Sequence, residues 1–287
     1  MRTEEEMFDL IFAIATSDER IRAVYMNGSR TNPNVNKDKY QDYDIVFVVT
    51  ETGSFIADKG WINAFGEIAI VQEPDSNDLG WGIDHDFSKS YCWLMLFTDG
   101  NRVDLRIMVK TAALDDYLSD TLTILLLDKD SFLPEIPAAS DNGHWLESPT
   151  KEKYRGCCNE FWWCLNNVAK GIARKHLPYA MRMYTEIVHN ELEKMTEWYI
   201  GMKYEFSVST GMWGKYFEKY LPSELYAMYE KTYPNGDYEN FWAAIFAACD
   251  LFRIIAPKVG EYFNFEYNIN EDIRMTDYLH RVEKGII

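Results

Sequence analysis

Hydrophobic positions along the chain change their spacing near residue 140, and that change divides the sequence into two parts. At the start, Phe8, Ile11, Phe12 and Ala15 recur three and four residues apart behind Thr3 and Glu6, a pair suited to a capping box, so a first helix is predicted. The runs "IRAVYMNGS" and "DYDIVFVVT" are short, β-branched and apolar, and read as strands on either side of a polar loop. "WINAFGEIAIVQE" reads as a helix running into a strand. In "YCWLMLFTDGNRVDLRIMV" two apolar runs flank Asp99-Gly100, a dipeptide that favours a tight hairpin turn.

The segment "LPEIPAASDNGHWLESPTKEK" carries Pro134, Pro137, Asn142-Gly143 and Pro149, which end elements rather than continue them. Beyond it the period becomes helical: Phe161, Leu165, Val168 and Ile172 form one stripe, Leu192, Met195 and Tyr199 a second, and Phe241, Ile245, Ala248 and Phe252 a third. The predicted fold class is α+β. A domain over residues 1–140 with a mixed β-sheet flanked by helices is followed by a helical bundle over 151–287. No internal repeat or low-complexity tract interrupts either.

Composition narrows the function classes. A chain of 287 residues with 47% hydrophobic and 26% charged residues should fold as a globular protein. Its 29 basic and 46 acidic residues leave a net charge of −17, a field that repels nucleic acid and anionic lipid and attracts cations. Cys92, Cys157, Cys158, Cys164 and Cys249 are odd in number and lack CxxC spacing, which fits reduced core thiols rather than disulfides or a zinc site. The acidic N-terminus has no signal-peptide character, and no run of 18 apolar residues is present, so a cytoplasmic protein without a membrane partner is expected. Asn27-Gly28-Ser29 formally matches a glycosylation acceptor but carries no weight in that setting.

The candidate chemistry lies in "YMNGSRTNPNVNKDKYQDYDIVFVV". Residues two apart on a strand face the same side, so Asp42 and Asp44 project together, and two adjacent carboxylates repel unless a cation lies between them. Oxygen-only ligands favour Mg²⁺. On the second strand of the predicted hairpin, Arg102, Asp104 and Arg106 share the polar face, and Asp104 would complete an acidic triad if that strand lies beside the first. Upstream, Gly28-Ser29 could offer backbone N–H groups and a hydroxyl to a phosphate, helped by the dipole of the helix it would open.

A Gly-Ser turn, about a dozen residues, Asp-x-Asp entering an apolar strand and a third acid on a later strand resemble the polymerase-beta-like nucleotidyltransferase superfamily. "YMNGSRTNPN", "YQDYDIVFVV", "DGNRVDLRI" and "NEFWWCLNNVAKGIARKHLPYAMRM" resemble the aminoglycoside 6-adenylyltransferases that inactivate streptomycin, and the likeness spans nearly the whole chain. The resemblance implies an N-terminal nucleotidyltransferase domain whose cleft a helical substrate-binding domain closes. It implies transfer of AMP from ATP to the 6-hydroxyl of streptomycin, release of pyrophosphate and antibiotic resistance. Carried over residue by residue, Gly28 and Ser29 would hold the triphosphate and Asp42 and Asp44 would hold Mg²⁺. Asp104 would be a third metal ligand or the general base, its separate strand arguing for the base. The acidic net charge suits a guanidinium-bearing drug.

Further residues have two readings each. Arg30 could contact phosphate or pair with a neighbouring acid. Lys170 and Arg174, one helical turn apart, could reach the triphosphate or form a solvated face. Of the adjacent Trp162 and Trp163, at least one should be core, and Trp163 could stack on the drug. Glu186 and Glu193, sharing a predicted helical face with His189, could receive the cationic drug, His189 itself being an ordinary surface or capping histidine. Asp84-His85-Asp86 reads as surface rather than metal site. Another acceptor, small molecule or protein, and a non-catalytic nucleotide-binding role are the competing functions. Nothing in the residues sets the oligomeric state.

Overall fold

Helix α1 (Glu4–Ser17) starts where the capping pair expects: the Glu6 amide donates to Thr3 Oγ1 at 3.2 Å and the Thr3 amide to the Glu6 carboxylate at 2.7 Å. Of the predicted stripe, Ile11 and Ala15 are fully buried and Phe8 and Phe12 half covered, while Met7 joins the buried face. The computed structural model describes residues 1–287, and the chain divides into two compact units, Met1–Gly143 and His144–Ile287.

The first unit is built on a six-stranded mixed sheet. Strands β1 (Ile21–Asn27), β2 (Tyr43–Val49), β3 (Ile68–Gln72), β4 (Ser90–Phe97), β5 (Arg102–Val109) and β6 (Ile124–Asp128) lie in the order β3-β4-β5-β2-β1-β6. All neighbours are antiparallel except β2 and β5, which run parallel at the centre. The β4–β5 hairpin turns at Asp99-Gly100, where Gly100 takes φ +86° and its amide donates to the Phe97 carbonyl at 2.9 Å. The segment expected to be a helix before β3 is a single 3₁₀ stretch, Trp61–Phe65.

Strand alternation divides the sheet into two cores. Met26, Ile45, Phe47, Tyr91, Trp93, Val103, Leu105 and Ile107 share one face, packed with α1 and the rings of Phe55 and Phe65. Tyr25, Val46, Val48 and Met108 face the other way, onto Ala113 and Tyr117 of helix α4 (Lys110–Ser119). Helices α2 (Gly53–Ala57), α3 (Pro74–Leu79) and α4 (Lys110–Ser119) complete this unit. By the two-residue period, Asp44 and Asp104 belong to the α4 face of the sheet, at the ends of β2 and β5 where the apolar cover stops.

The second unit consists of α5 (Lys151–Ala173), α6 (Leu177–Met183), α7 (His189–Lys203), α8 (Phe217–Tyr220), α9 (Ser223–Glu230), α10 (Tyr238–Phe263) and α11 (Ile269–Glu283). The side chains of Thr150 and Asp237 cap α5 and α10. Phe161 of α5 stacks on Phe252 of α10 with ring centroids 3.9 Å apart, and the three predicted stripes form one continuous core. Between α6 and α7, Tyr184–Val188 forms a π-helical turn. All five cysteines are buried and free. No helix is long and apolar enough to cross a membrane.

Candidate active site

Parallel pairing of β2 and β5 brings the acidic residues together. Tyr43 lies opposite Val103 and Asp44 opposite Asp104, so the two carboxylates stand side by side on one sheet face. Asp42, one residue before β2, lies next to Arg102 by the same register. The result is a two-by-two array in which three corners are acids and the fourth is Arg102. Arg102 grips Asp104 with both arms of its fork, Nε to Oδ1 and Nη2 to Oδ2, each at 2.7 Å, and its Nη1 lies 3.3 Å from Asp42 Oδ2.

The other side of Asp44 is bounded by the chain itself. Asn27 pairs with Asp44 across β1 and β2, and Gly28 follows with φ +80° and ψ −161°. A β-carbon there would lie 2.1 Å from Asp44 Oδ2, so no other residue lets the backbone pass this close. Burial, then the nearby charges of Asp104 and Asp42, push the Asp44 carboxyl up to about 6. Burial raises Asp42 too, against the pull of Arg102. Asp44 itself forms no ion pair, and a bound cation would offset both the burial and the neighbouring acids.

The donor set therefore suits a hard divalent cation in chemistry: three carboxylates on one face, one held against a glycine. As the side chains stand, no three His, Cys, Asp or Glu converge into a metal-binding group, and Arg102 takes the cationic position between Asp42 and Asp104. The cleft beside them, about 380 Å³, is lined by Asn27, Gly28, Asp44, Cys92, Asp104 and Arg106 among others. Arg106 is exposed and is the sole cationic residue in that lining. Neither Arg102 nor Arg106 was assigned a role from sequence, although the alternation "RVDLR" put both on the face of Asp104.

Several sequence-derived assignments change. Arg30 is 6% exposed and engaged within the fold: Nη2 donates to the Gln41 carbonyl at 2.6 Å, Nε to the Asp42 carbonyl at 3.3 Å, and Nη1 pairs with Glu4 at 3.1 Å. Its guanidinium also stacks 3.8 Å above the Tyr43 ring. Of its two readings, the structure shows the pairing with a neighbouring acid. It braces the loop that delivers Asp42. The helix expected after Gly28-Ser29 is one 3₁₀ turn, Ser29–Thr31, too short to add an appreciable dipole.

In the helical unit, Lys170 and Arg174 are exposed near the end of α5, with Lys170 Nζ on Asn166 Oδ1 at 2.7 Å. Trp162 is core and Trp163 is 64% exposed, as adjacent positions on a helix require. Glu186 and His189 do not share a face. The π-helical turn takes in one extra residue before α7 and rotates the helix beyond it, so Glu186 is exposed and paired with Arg182 while His189 is buried against Thr232. Burial drives the His189 imidazole down to about 4, so it is a neutral core residue rather than a surface or capping one. Glu193 stays half-buried, and one turn later Glu197 is too. Burial raises both carboxyls, and Glu197 raises that of Glu193 further. Glu197 was missed, though its i,i+4 spacing from Glu193 is visible in the sequence. His85 bonds Asp78 at 2.7 Å, a surface contact.

A sequence model described as Streptomycin adenylyltransferase matches residues 1–282. An aminoglycoside 6-adenylyltransferase of Campylobacter jejuni is 36% identical over 285 residues, covering 99% of this chain and 97% of the relative. Proteins of the same name from Staphylococcus aureus and Bacillus subtilis are 33% and 35% identical, covering 96% and 93% of this chain and 98% and 93% of theirs.

Proposed function

From the premise that the chain belongs to the streptomycin adenylyltransferase family, and is thus a nucleotidyltransferase of aminoglycoside adenylylation and resistance, we propose that it transfers AMP from ATP to the 6-hydroxyl of streptomycin. The drug oxygen bonds to the α-phosphorus, the bond from that phosphorus to the β-phosphate oxygen breaks, pyrophosphate leaves, and the hydroxyl proton passes to a base. The observation that carries this reading is the side-by-side placement of Asp44 and Asp104, with Asp42 beside them and Gly28 closing on Asp44.

Asp42, Asp44 and Asp104 are the residues that would hold Mg²⁺, which when bound offsets phosphate charge and steadies the leaving group. Gly28 and Ser29 shape the backbone against the phosphates, and Arg106 gives the cleft a protein cation for them. Lys170 and Arg174 are assigned further phosphate contacts. Trp163, Glu186 and Glu193, joined by Glu197, are assigned to the drug; of these, Glu193 and Glu197 are half-buried with raised pKa and would gain most from a guanidinium partner. Asp104 lies in register with Asp44 rather than apart from it, which favours a ligand role over that of base.

Incubation with labelled ATP, Mg²⁺ and a panel of aminoglycosides tests the reading. Pyrophosphate release that requires streptomycin, with AMP recovered on the drug, is the expected result. Release with another acceptor alone, or with none, would refute the assignment. Asp104→Asn separates the two roles: loss of Mg²⁺-dependent ATP binding by calorimetry is expected, whereas normal binding with turnover lowered on the order of 10²–10⁴-fold would make it the base.

A further inference from the structure

We propose that Arg102 is the resident counter-cation of the carboxylate array: it holds Asp42 and Asp104 while no divalent cation is bound, and must yield Asp42 when one arrives. The inference rests on the metal reading above but concerns a residue that reading does not use. Three observations carry it. Register puts Arg102 at the one non-acidic corner of the array, so it lies where the fields of all three carboxylates add. Its contacts are unequal, two bonds of 2.7 Å to Asp104 against one of 3.3 Å to Asp42, so the Asp42 contact is the weaker and the first to break. Its side chain is 42% exposed, against 6% for Arg30, so it has solvent to move into without opening the core.

The contrast with Arg30 shows what is specific here. Arg30 donates to two backbone carbonyls and lies over Tyr43, contacts that persist whatever the carboxylates bind. Arg102 donates to no backbone oxygen; both of its partners are members of the array. A divalent cation between Asp42 and Asp44 would bring two positive centres to the same Asp42 carboxylate, and they repel. The mobile one, Arg102, gives up Asp42 and swings toward solvent. The guanidinium thus competes with the incoming cation, and its charge sets how tightly that cation binds.

The test is binding of Mn²⁺ alone, without nucleotide, to the full chain, followed by the electron paramagnetic resonance signal of free Mn²⁺. Melting is measured in parallel, in EDTA and in Mn²⁺. Arg102→Met, which keeps length and removes charge, should bind Mn²⁺ on the order of tenfold tighter than the parent. It should also melt lower in EDTA and gain more from Mn²⁺. Arg102→Gln should behave as Arg102→Met does, and Arg102→Lys should stay near the parent. Mn²⁺ binding by Arg102→Met and Arg102→Gln equal to or weaker than the parent would overturn the proposal, because Arg102 would then support the ligands instead of competing with the cation. Asp44→Asn separates this from failure of the metal reading. If parent and Asp44→Asn bind Mn²⁺ alike, the carboxylates are not the metal site and both readings fall; if only Asp44→Asn loses binding while the Arg102 variants match the parent, the counter-cation role alone falls.

Discussion

Gly28→Ala puts the close packing of the site to a quantitative test. The backbone at residue 28, φ +80° and ψ −161°, lies in a region almost confined to glycine, and holding an alanine there costs about 1–3 kcal/mol. The new β-carbon would also meet Asp44 Oδ2 at 2.1 Å and Cγ at 2.9 Å, an overpacking that adds about 1–3 kcal/mol as Asp44 is forced aside. The sum, about 2–6 kcal/mol, is a large share of the ~5–15 kcal/mol typical of a folded protein. Gly82→Ala is the control, because Gly82 also has positive φ, +78°, but nothing within 4 Å of a β-carbon. Adding Asp44→Ala to Gly28→Ala removes both close atoms and leaves only a 3.4 Å contact with the Asp44 β-carbon, so the double variant should recover the overpacking part. Urea unfolding followed by circular dichroism of the parent, Gly28→Ala, Asp44→Ala and the double variant closes the cycle, and the double variant should be more stable than the sum of the two single effects by about 1 kcal/mol or more. AMP transfer should be lost in Gly28→Ala and retained in Gly82→Ala. Additive effects, or a Gly28→Ala protein as stable and active as Gly82→Ala, would refute the idea that glycine is there to admit Asp44.

The other predictions concern charge. Asp44→Asn should abolish AMP transfer with the fold intact, near wild-type turnover being the contrary result. The stability that Asp44 itself contributes should depend on pH in a defined direction: a carboxyl raised from 3.8 to about 6 binds more protons folded than unfolded, so its contribution is full below pH 4 and declines as pH rises to 6. In EDTA the melting advantage of Asp44→Asn should therefore open between pH 4 and 6 and level off above, reaching about 2–3 kcal/mol at most; a pH-independent difference would contradict the shift. Arg106→Gln should weaken ATP and pyrophosphate roughly 10- to 150-fold while leaving adenosine unaffected, since it would remove a proposed phosphate contact worth about 1.5–3 kcal/mol, and equal weakening of all three would rule that contact out. With a net charge of −17, apparent affinity for streptomycin should fall as salt is added, the Debye length being about 8 Å at physiological ionic strength, and salt-independent affinity would argue against electrostatic capture.

Much of this protein is written in local patterns. The capping box at Thr3 and Glu6, the Asp99-Gly100 hairpin, the strand that places Asp42 and Asp44 on one side and the helical stripes beyond residue 140 all depend on residues within one or two turns of each other, so the sequence alone determined them. Period-two alternation also showed that Asp42, Asp44 and Asp104 leave the apolar faces of their strands, while their grouping in one candidate site came from the family resemblance. What the alternation cannot say is which strand lies beside which. Only the parallel pairing of β2 with β5 sets Asp44 against Asp104 and Arg102 beside Asp42, and that register depends on contacts between residues about 60 apart. The same holds for Arg30, whose partners lie 26, 12 and 11 residues away and draw it into the fold. It holds for His189 in a subtler form, where one π-helical turn rotates an otherwise regular stripe and buries a side chain that the 3.6-residue period had put at the surface. Local chemistry selects the elements and their faces; long-range packing, which no short window contains, selects each face's neighbours.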